Sequence, residues 1–170
     1  MLQIVTILGL AALVAADQAI KYVVVRFLEP IGSFPFIDRF LQFTYVENTG
    51  AAFGFFSRHT ELLSVFTGIV IAAGLIFLLS GKLKSKFAHA AVLMILAGGL
   101  GNLIDRVFRG FVVDYIEPLF INFAVFNFAD MLVCVGAALL IGYLIFDMVR
   151  DARKDPLADK EKVEQSQESD

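Results

Sequence analysis

The chain alternates between long apolar runs and shorter mixed segments. Four of the runs reach the roughly 20 residues that a helix needs to cross a hydrocarbon core. The first covers about residues 1–25 and is interrupted by Asp17 and Lys21; the second, 62–81, carries no charge between Glu61 and Lys82. The third covers about 87–106, and the fourth about 125–146, through "MLVCVGAALLIGYLIF". Two loops, about 27–60 and 107–124, separate them. In the first loop "LQFTYVENTGAAFGFF" sets β-branched and aromatic residues ahead of a turn-like "NTG", which predicts a strand followed by a turn. Gly50 in that turn suits a plain turn and a close backbone approach to a ligand about equally. Residues 1–150 are expected to form a single integral-membrane domain, and 151–170 a polar, disordered cytoplasmic tail.

Composition points the same way, since 58% hydrophobic residues and a mean hydropathy of +0.77 exclude an ordinary soluble domain of this length. Lys82, Lys84 and Lys86 lie in one connector, and Arg150, Arg153, Lys154, Lys160 and Lys162 in the tail. By the positive-inside rule both regions are cytoplasmic, which puts both termini inside and the two long loops outside, although those loops still carry Arg39, Arg58 and Arg109. The segment "LVAAD" offers small residues of the kind that precede a cleavage site, but "MLQIV" lacks a basic leader, so the first run reads as a retained span. The net charge of −3 arises after Phe146, where eight acids face five bases and leave nine of each elsewhere, so it carries no information on the substrate. No nucleic-acid partner is expected. Cys134 is alone, which excludes an internal disulfide, and it reads as a small buried hydrophobe.

Ionisable groups are costly inside a membrane, so their depth matters. Asp17 and Lys21 lie in the later half of the first run, Asn102, Asp105 and Arg106 at the end of the third, and Asn127 and Asp130 at the start of the fourth. All of them fall in one layer near the outer half of the bilayer. Spacings of three and four residues put each group on one helical face, pointing into the bundle. For Asp17 with Lys21, and for Asp105 with Arg106 or another base, an ion pair that locks helix packing is favoured over catalysis. For Asp114 and Asp130, neither of which has a cation one turn away, the weights reverse.

Two carboxyls that share a site repel, so one stays ionised and the other protonated near neutral pH. Such a pair can activate water against an amide and protonate the carbonyl, which is aspartic peptidase chemistry and needs no metal or cofactor. Rival chemistries lack their residues: His59 and His89 lie on opposite sides of the membrane, and no H-E-x-x-H or G-x-S-x-G pattern occurs. Gly98, Gly99 and Gly101 read as helix contacts rather than a phosphate loop. A proton-coupled transporter would need polar groups through the whole thickness, and a noncatalytic assembly subunit would leave Asp114 unexplained. Fourteen of the 18 phenylalanines fall in segments 27–56 and 108–128, among them Phe34, Phe36, Phe40, Phe43, Phe53, Phe55, Phe56, Phe120, Phe123 and Phe126. An interfacial aromatic belt accounts for them more simply than a rim that grips a substrate.

Five blocks occur in order, "DQAIK" at 17–21, "NTGAAF" at 48–53, "GGLGNLIDR" at 98–106, "GFVVDY" at 110–115 and "FNFAD" at 126–130. Together they resemble the bacterial lipoprotein signal peptidases, the signal peptidase II family. The resemblance implies a mainly α membrane protein with four transmembrane helices, a small extracytoplasmic β-sheet cradle and a short mobile outer helix. It also implies an intramembrane aspartic endopeptidase of the bacterial plasma membrane, with its site facing outward. Such an enzyme cleaves diacylglyceryl-modified prolipoproteins just before the modified cysteine, among membrane lipid, with no metal or cofactor. On that pattern Asp114 and Asp130 are the catalytic pair. Asn48, Gly50, Asn102, Arg106 and Asn127 bind substrate or support the pair, and Asp17, Lys21 and Asp105 are structural. Asn127 would hold Asp130, and Arg106 would compensate the charge of the pair or grip the substrate carbonyl. Met131 stands where many members have serine, and Tyr115 where phenylalanine is common.

Overall fold

The computed structural model describes residues 2–50 and 60–154. The chain runs through helix α1 (Leu2–Val23), a π-helical turn (Val24–Leu28), strands β1 (Ser33–Ile37) and β2 (Leu41–Asn48), and helices α2 (Thr60–Leu79) and α3 (Lys86–Arg109). Strand β3 (Val112–Pro118) and helix α4 (Phe128–Lys154) complete it. Among the described residues, four helical segments are long and apolar enough to span a membrane, Leu2–Leu28, Glu61–Leu79, Lys86–Arg109 and Phe128–Asp151. The three strands form one antiparallel sheet in the order β1-β2-β3, the small sheet expected beside four helices. Among the described residues of the loops no separate short helix occurs, and residues 51–59 of the first loop, with Phe53, Phe55, Phe56, Arg58 and His59, lie outside them. Most of the expected polar tail, 155–170, also lies outside the described residues.

α3 is the most buried of the four helices, and its glycines are the reason it can be central. A Cβ on Gly98 would fall on the Ala129 carbonyl oxygen of α4, one on Gly99 would crowd Ile71 of α2, and one on Gly101 would sit 2.5 Å from Asp17 Oδ2 of α1. Three small positions within four residues thus admit three different neighbours, as expected for helix contacts. The ends of α3 are closed locally. Ser85 accepts the Ala88 N–H at 3.2 Å, and Gly110, in the left-handed conformation at φ 83°, returns its N–H to Arg106 O at 3.1 Å.

The sheet sits at one end of the bundle, held by a small core of Val24, Leu28, Val113 and Tyr115 that joins the π-helical turn to β3. At the opposite end Gln3 Nε2 donates to Leu79 O at 2.9 Å, and Phe87 lies against Tyr143, so both described chain ends are there. The buried Thr6 hydroxyl gives its proton to Leu2 O at 2.9 Å and pairs with His89 Nε2 at 2.8 Å, tying α1 to α3 at that level.

The fourth span starts later and runs further than the apolar run predicts. The segment after β3 runs back along the free edge of that strand, where Phe126 bridges to Ile116 with hydrogen bonds of 2.8 and 3.0 Å, and only then does the helix begin. Asn127 is therefore the residue before the helix, not a member of its first turns. The helix continues to Lys154 because its polar last turns carry their own ion pair, Arg150 with Asp147. Cys134 is exposed on α4, not buried.

Helix contact through glycine makes a direct prediction. Gly136 of α4 has the Ala91 carbonyl oxygen 2.7 Å from where a Cβ would stand, whereas Gly142 on the same helix has nothing within 4 Å. Gly136→Ala should destabilise the protein by about 1–3 kcal/mol, while Gly142→Ala should be neutral or slightly stabilising. Thermal unfolding in detergent checks both; equal midpoints would contradict the packing described.

Candidate active site

Lys21 is the point from which the site is built. Its ammonium is fully buried and reaches three acceptors: Asp17 Oδ2 at 3.0 Å, Asp105 Oδ2 at 2.9 Å and Asn102 Oδ1 at 2.9 Å. An ammonium has three N–H donors, so all are satisfied. Asp17 belongs to α1, Asp105 and Asn102 to α3, and Gly101 leaves the space into which Asp17 fits. Asp105 Oδ2 also accepts the Val113 N–H of β3 at 3.2 Å, and Asp105 Oδ1 faces Arg109 Nε at 3.5 Å. Arg106 is not the base that Asp105 meets, because adjacent helix residues project about 100° apart.

Three asparagine amides hold the two carboxylates, Asn102 and Asn127 linking them to this centre, and each is oriented by a fixed group at its oxygen. Asn102 Oδ1 accepts from Lys21, so its Nδ2 donates to Asp130 Oδ1 at 2.7 Å. Asn127 Oδ1 accepts the Asp130 backbone N–H at 2.9 Å, so its Nδ2 donates to Asp114 Oδ1 at 2.6 Å and to Asn102 Oδ1 at 3.1 Å. Asn48 Oδ1 accepts the Gly50 N–H at 3.0 Å, so its Nδ2 donates to Asp114 Oδ2 at 2.8 Å. Asp130 Oδ2 in turn accepts the Asn127 N–H at 3.1 Å. Asn127 and Asp130 thus form a reciprocal cap at the start of α4. Asn127 holds Asp130 as expected, but with its backbone; its side chain reaches the other carboxylate.

Asp114 and Asp130 therefore each receive two donors and share Asn127 between them. They line one cavity of about 500 Å³ together with Asn48, Asn102, Arg106 and Met131. Phe123 and Phe126 stand at its wall, edge to face at 5.9 Å. Phe34, Phe36, Phe40 and Phe120 are exposed on the sheet and the loop that follows it, Phe40 stacked on Phe120 at 4.6 Å. A larger apolar groove of about 610 Å³ beside Phe27, Phe34 and Tyr115 contains neither carboxylate. Arg106 reaches Gly50 O at 3.1 Å and Asn102 O at 3.5 Å, and its buried Nε has no partner among the described residues. Gly50 thus serves the site through its backbone, the N–H to Asn48 and the carbonyl to Arg106.

The two carboxyls differ in setting. Asp114 on β3 is 1% exposed, whereas Asp130 is half-buried at the cavity. Burial raises the Asp114 carboxyl to about 6, with the Asp130 charge adding to it; the amides of Asn48 and Asn127 oppose the rise without cancelling it.

All ten residues singled out from the sequence belong to this one connected arrangement. Two further members carried weaker signals. Gln18 Nε2 donates to Gly101 O at 3.1 Å and to Asp105 Oδ1 at 3.3 Å, and only its place inside "DQAIK" hinted at it. Tyr115 accepts the Phe128 N–H of α4 at 3.2 Å, so its hydroxyl satisfies a helix-start donor that phenylalanine would leave open.

The model of the family described as Signal peptidase (SPase) II matches residues 10–146. The chain is 44% identical over 135 residues to a lipoprotein signal peptidase of Caldanaerobacter subterraneus subsp. tengcongensis, covering 79% of this chain and 91% of that one. It is 39% identical to the lipoprotein signal peptidase of Halalkalibacterium halodurans, covering 88% and 93%. A solved structure described as a bacterial membrane enzyme superposes with a TM-score of 0.77 at 35% identity, covering 85% and 89%.

The setting of Asp114 fixes how stability responds to pH. Its folded carboxyl holds a proton up to about pH 6, while an unfolded one releases it near 3.8, so the native state binds more protons between those values. Stability contributed by the protonated form is complete below about pH 4 and is lost as pH rises through about 6. Relative to Asp114→Asn, the wild type should lose on the order of 2–3 kcal/mol between pH 4 and 7. Denaturation in detergent at the two pH values measures this; a difference that does not change with pH would refute it.

Proposed function

The chain belongs to the signal peptidase II family, and we propose that it removes signal peptides from lipoprotein precursors as an intramembrane aspartic endopeptidase. The observation that carries this reading is the pair Asp114 and Asp130, bridged by Asn127 and open to one cavity at the sheet end of a four-helix bundle. The bond cut is the one before a diacylglyceryl-modified cysteine. Residues 1–150 act as one membrane-embedded domain in the bacterial plasma membrane, with the termini cytoplasmic and the sheet end extracytoplasmic.

The two carboxylates take different parts because their settings differ. Asp114, buried and raised to about 6, supplies the proton, and Asp130 accepts one. A water in the cavity loses a proton to Asp130 as its oxygen attacks the scissile carbonyl, and Asp114 protonates the carbonyl oxygen. The resulting gem-diol returns a proton to Asp114 while Asp130 passes its proton to the leaving nitrogen, so the elements of water end up on the two products. Arg106, with its charge beside both carboxylates and its Nε–H unpaired among the described residues, steadies the pair and offers a donor to the substrate. Asn48 and Asn127 hold the Asp114 oxygens so that its proton lies toward the cavity.

A transporter reading fits less well. The polar cluster is confined to the sheet end, and toward the opposite end the described interior holds the Thr6 and His89 pair, one hydrogen bond between α1 and α3 that leaves the buried His89 Nδ1 without a partner among the described residues.

Purified protein in detergent, given a diacylglyceryl-modified prolipoprotein peptide, should release the signal peptide just before the modified cysteine. Asp114→Asn and Asp130→Asn should each lower kcat by more than about a thousandfold while remaining folded, since an amide neither takes nor gives the shuttled proton. A folded variant that cuts at the wild-type rate would overturn the assignment of that carboxylate.

A further inference from the structure

We propose that Lys21 is a positioning residue for the reaction: its ammonium fixes which end of the Asn102 amide faces Asp130, and so aims an N–H at the carboxylate that activates water. The proposal rests on the reading of Asp114 and Asp130 as the reacting pair. Lys21 touches neither carboxylate in the hydrogen-bond network; it acts through Asn102.

An asparagine side chain has two ends of nearly equal shape and opposite polarity. Asn102 stands between a donor side, formed by Lys21 Nζ at 2.9 Å and Asn127 Nδ2 at 3.1 Å, and an acceptor side, formed by Asp130 Oδ1 at 2.7 Å. Turned around, it would set its NH2 against the ammonium and its oxygen against the carboxylate, which opposes like partners at both ends. Lys21 enforces the working orientation more firmly than Asn127 because its hydrogen bond is charge-assisted. The remaining two ammonium protons are taken by Asp17 and Asp105, so the third has Asn102 as its acceptor. The other charges around the centre are Arg109, on Asp105, and Arg106, which points to Gly50.

A purely structural lysine would do no more than neutralise Asp17 and Asp105. The two roles separate in a pair of variants with the same net charge as wild type. Lys21→Met with Asp17→Asn removes the donor to Asn102, whereas Lys21→Gln with Asp17→Asn restores an uncharged donor one bond shorter than the lysine. The Met variant should lose about 10- to 100-fold in kcat with KM within about twofold, and the Gln variant should stay within about threefold of wild type. In an Asn102→Ala background, adding the Met pair should change kcat by less than about twofold, because the residue through which Lys21 acts is gone. Equal losses in the Met and Gln variants, or full additivity with Asn102→Ala, would overturn the proposal.

A second readout needs no substrate. The Asn102 side-chain amide protons, assigned by their loss in Asn102→Ala, should exchange slowly with heavy water in wild type and in the Gln variant, and faster in the Met variant. If the Met variant fails to fold, the Gln variant carries the test, and loss of either its kcat or its slow exchange overturns the proposal. A wild type that holds the Asn102 amide but cuts no lipopeptide would sink the peptidase reading and leave the positioning of Asn102 standing.

Discussion

A single fully buried ammonium governs this molecule. Lys21 is fully buried with Asp17 and Asp105, and desolvating three such charges costs several kcal/mol each. That cost is offset only while every partner stays in reach, and removal of one member of a buried pair typically destabilises by about 3–5 kcal/mol. The partners come from α1 and α3, and Asp105 extends the same centre to β3 through the Val113 N–H. The helix packing follows from it, because Asp17 fits only where Gly101 has no side chain. The centre is therefore a constraint on geometry more than a source of net stability.

That constraint sets one amide of the site directly, and backbone N–H groups set the other two. Asn102, Asn127 and Asn48 each have the oxygen engaged by Lys21 or a backbone N–H, and each presents its NH2 to a carboxylate. The carboxylates are consequently surrounded by donors before any substrate arrives, and little reorganisation is needed when charge moves. The asymmetry between them also has a local source. Asp114 lies on a strand pressed against the bundle, whereas Asp130 opens a helix at the cavity, so one is buried and the other half-buried although the same Asn127 touches both.

Much of this was legible in the sequence. Run length gave the four spans, and the absence of any cation one turn from Asp114 or Asp130 singled them out. The connections between segments were less legible. Local spacing offers Asp17 with Lys21 and Asp105 with Arg106 as two separate pairs, but the fold joins Asp17, Lys21 and Asp105 into one centre and turns Arg106 toward Gly50. Helical periodicity put Asn127 on the face of Asp130, yet the strand-like bridge between Ile116 and Phe126 delays the helix and makes Asn127 its cap. Cys134, an apolar residue in an apolar run, gave no sign of which way it faces, and it is exposed. The Tyr115 hydroxyl acquires its role only when β3 is laid beside the start of α4.

The central claim is that two carboxyls of unequal setting share one proton during catalysis. Its most direct test is the pH dependence of kcat/KM for cleavage of a diacylglyceryl-modified prolipoprotein peptide. The expected profile is a bell, with an acid limb where the pair becomes doubly protonated and an alkaline limb where Asp114, raised to about 6, gives up the proton it must donate. Both limbs belong to the pair and disappear with it. A rate that is level from pH 4 to 8 would contradict the shared proton and with it the mechanism.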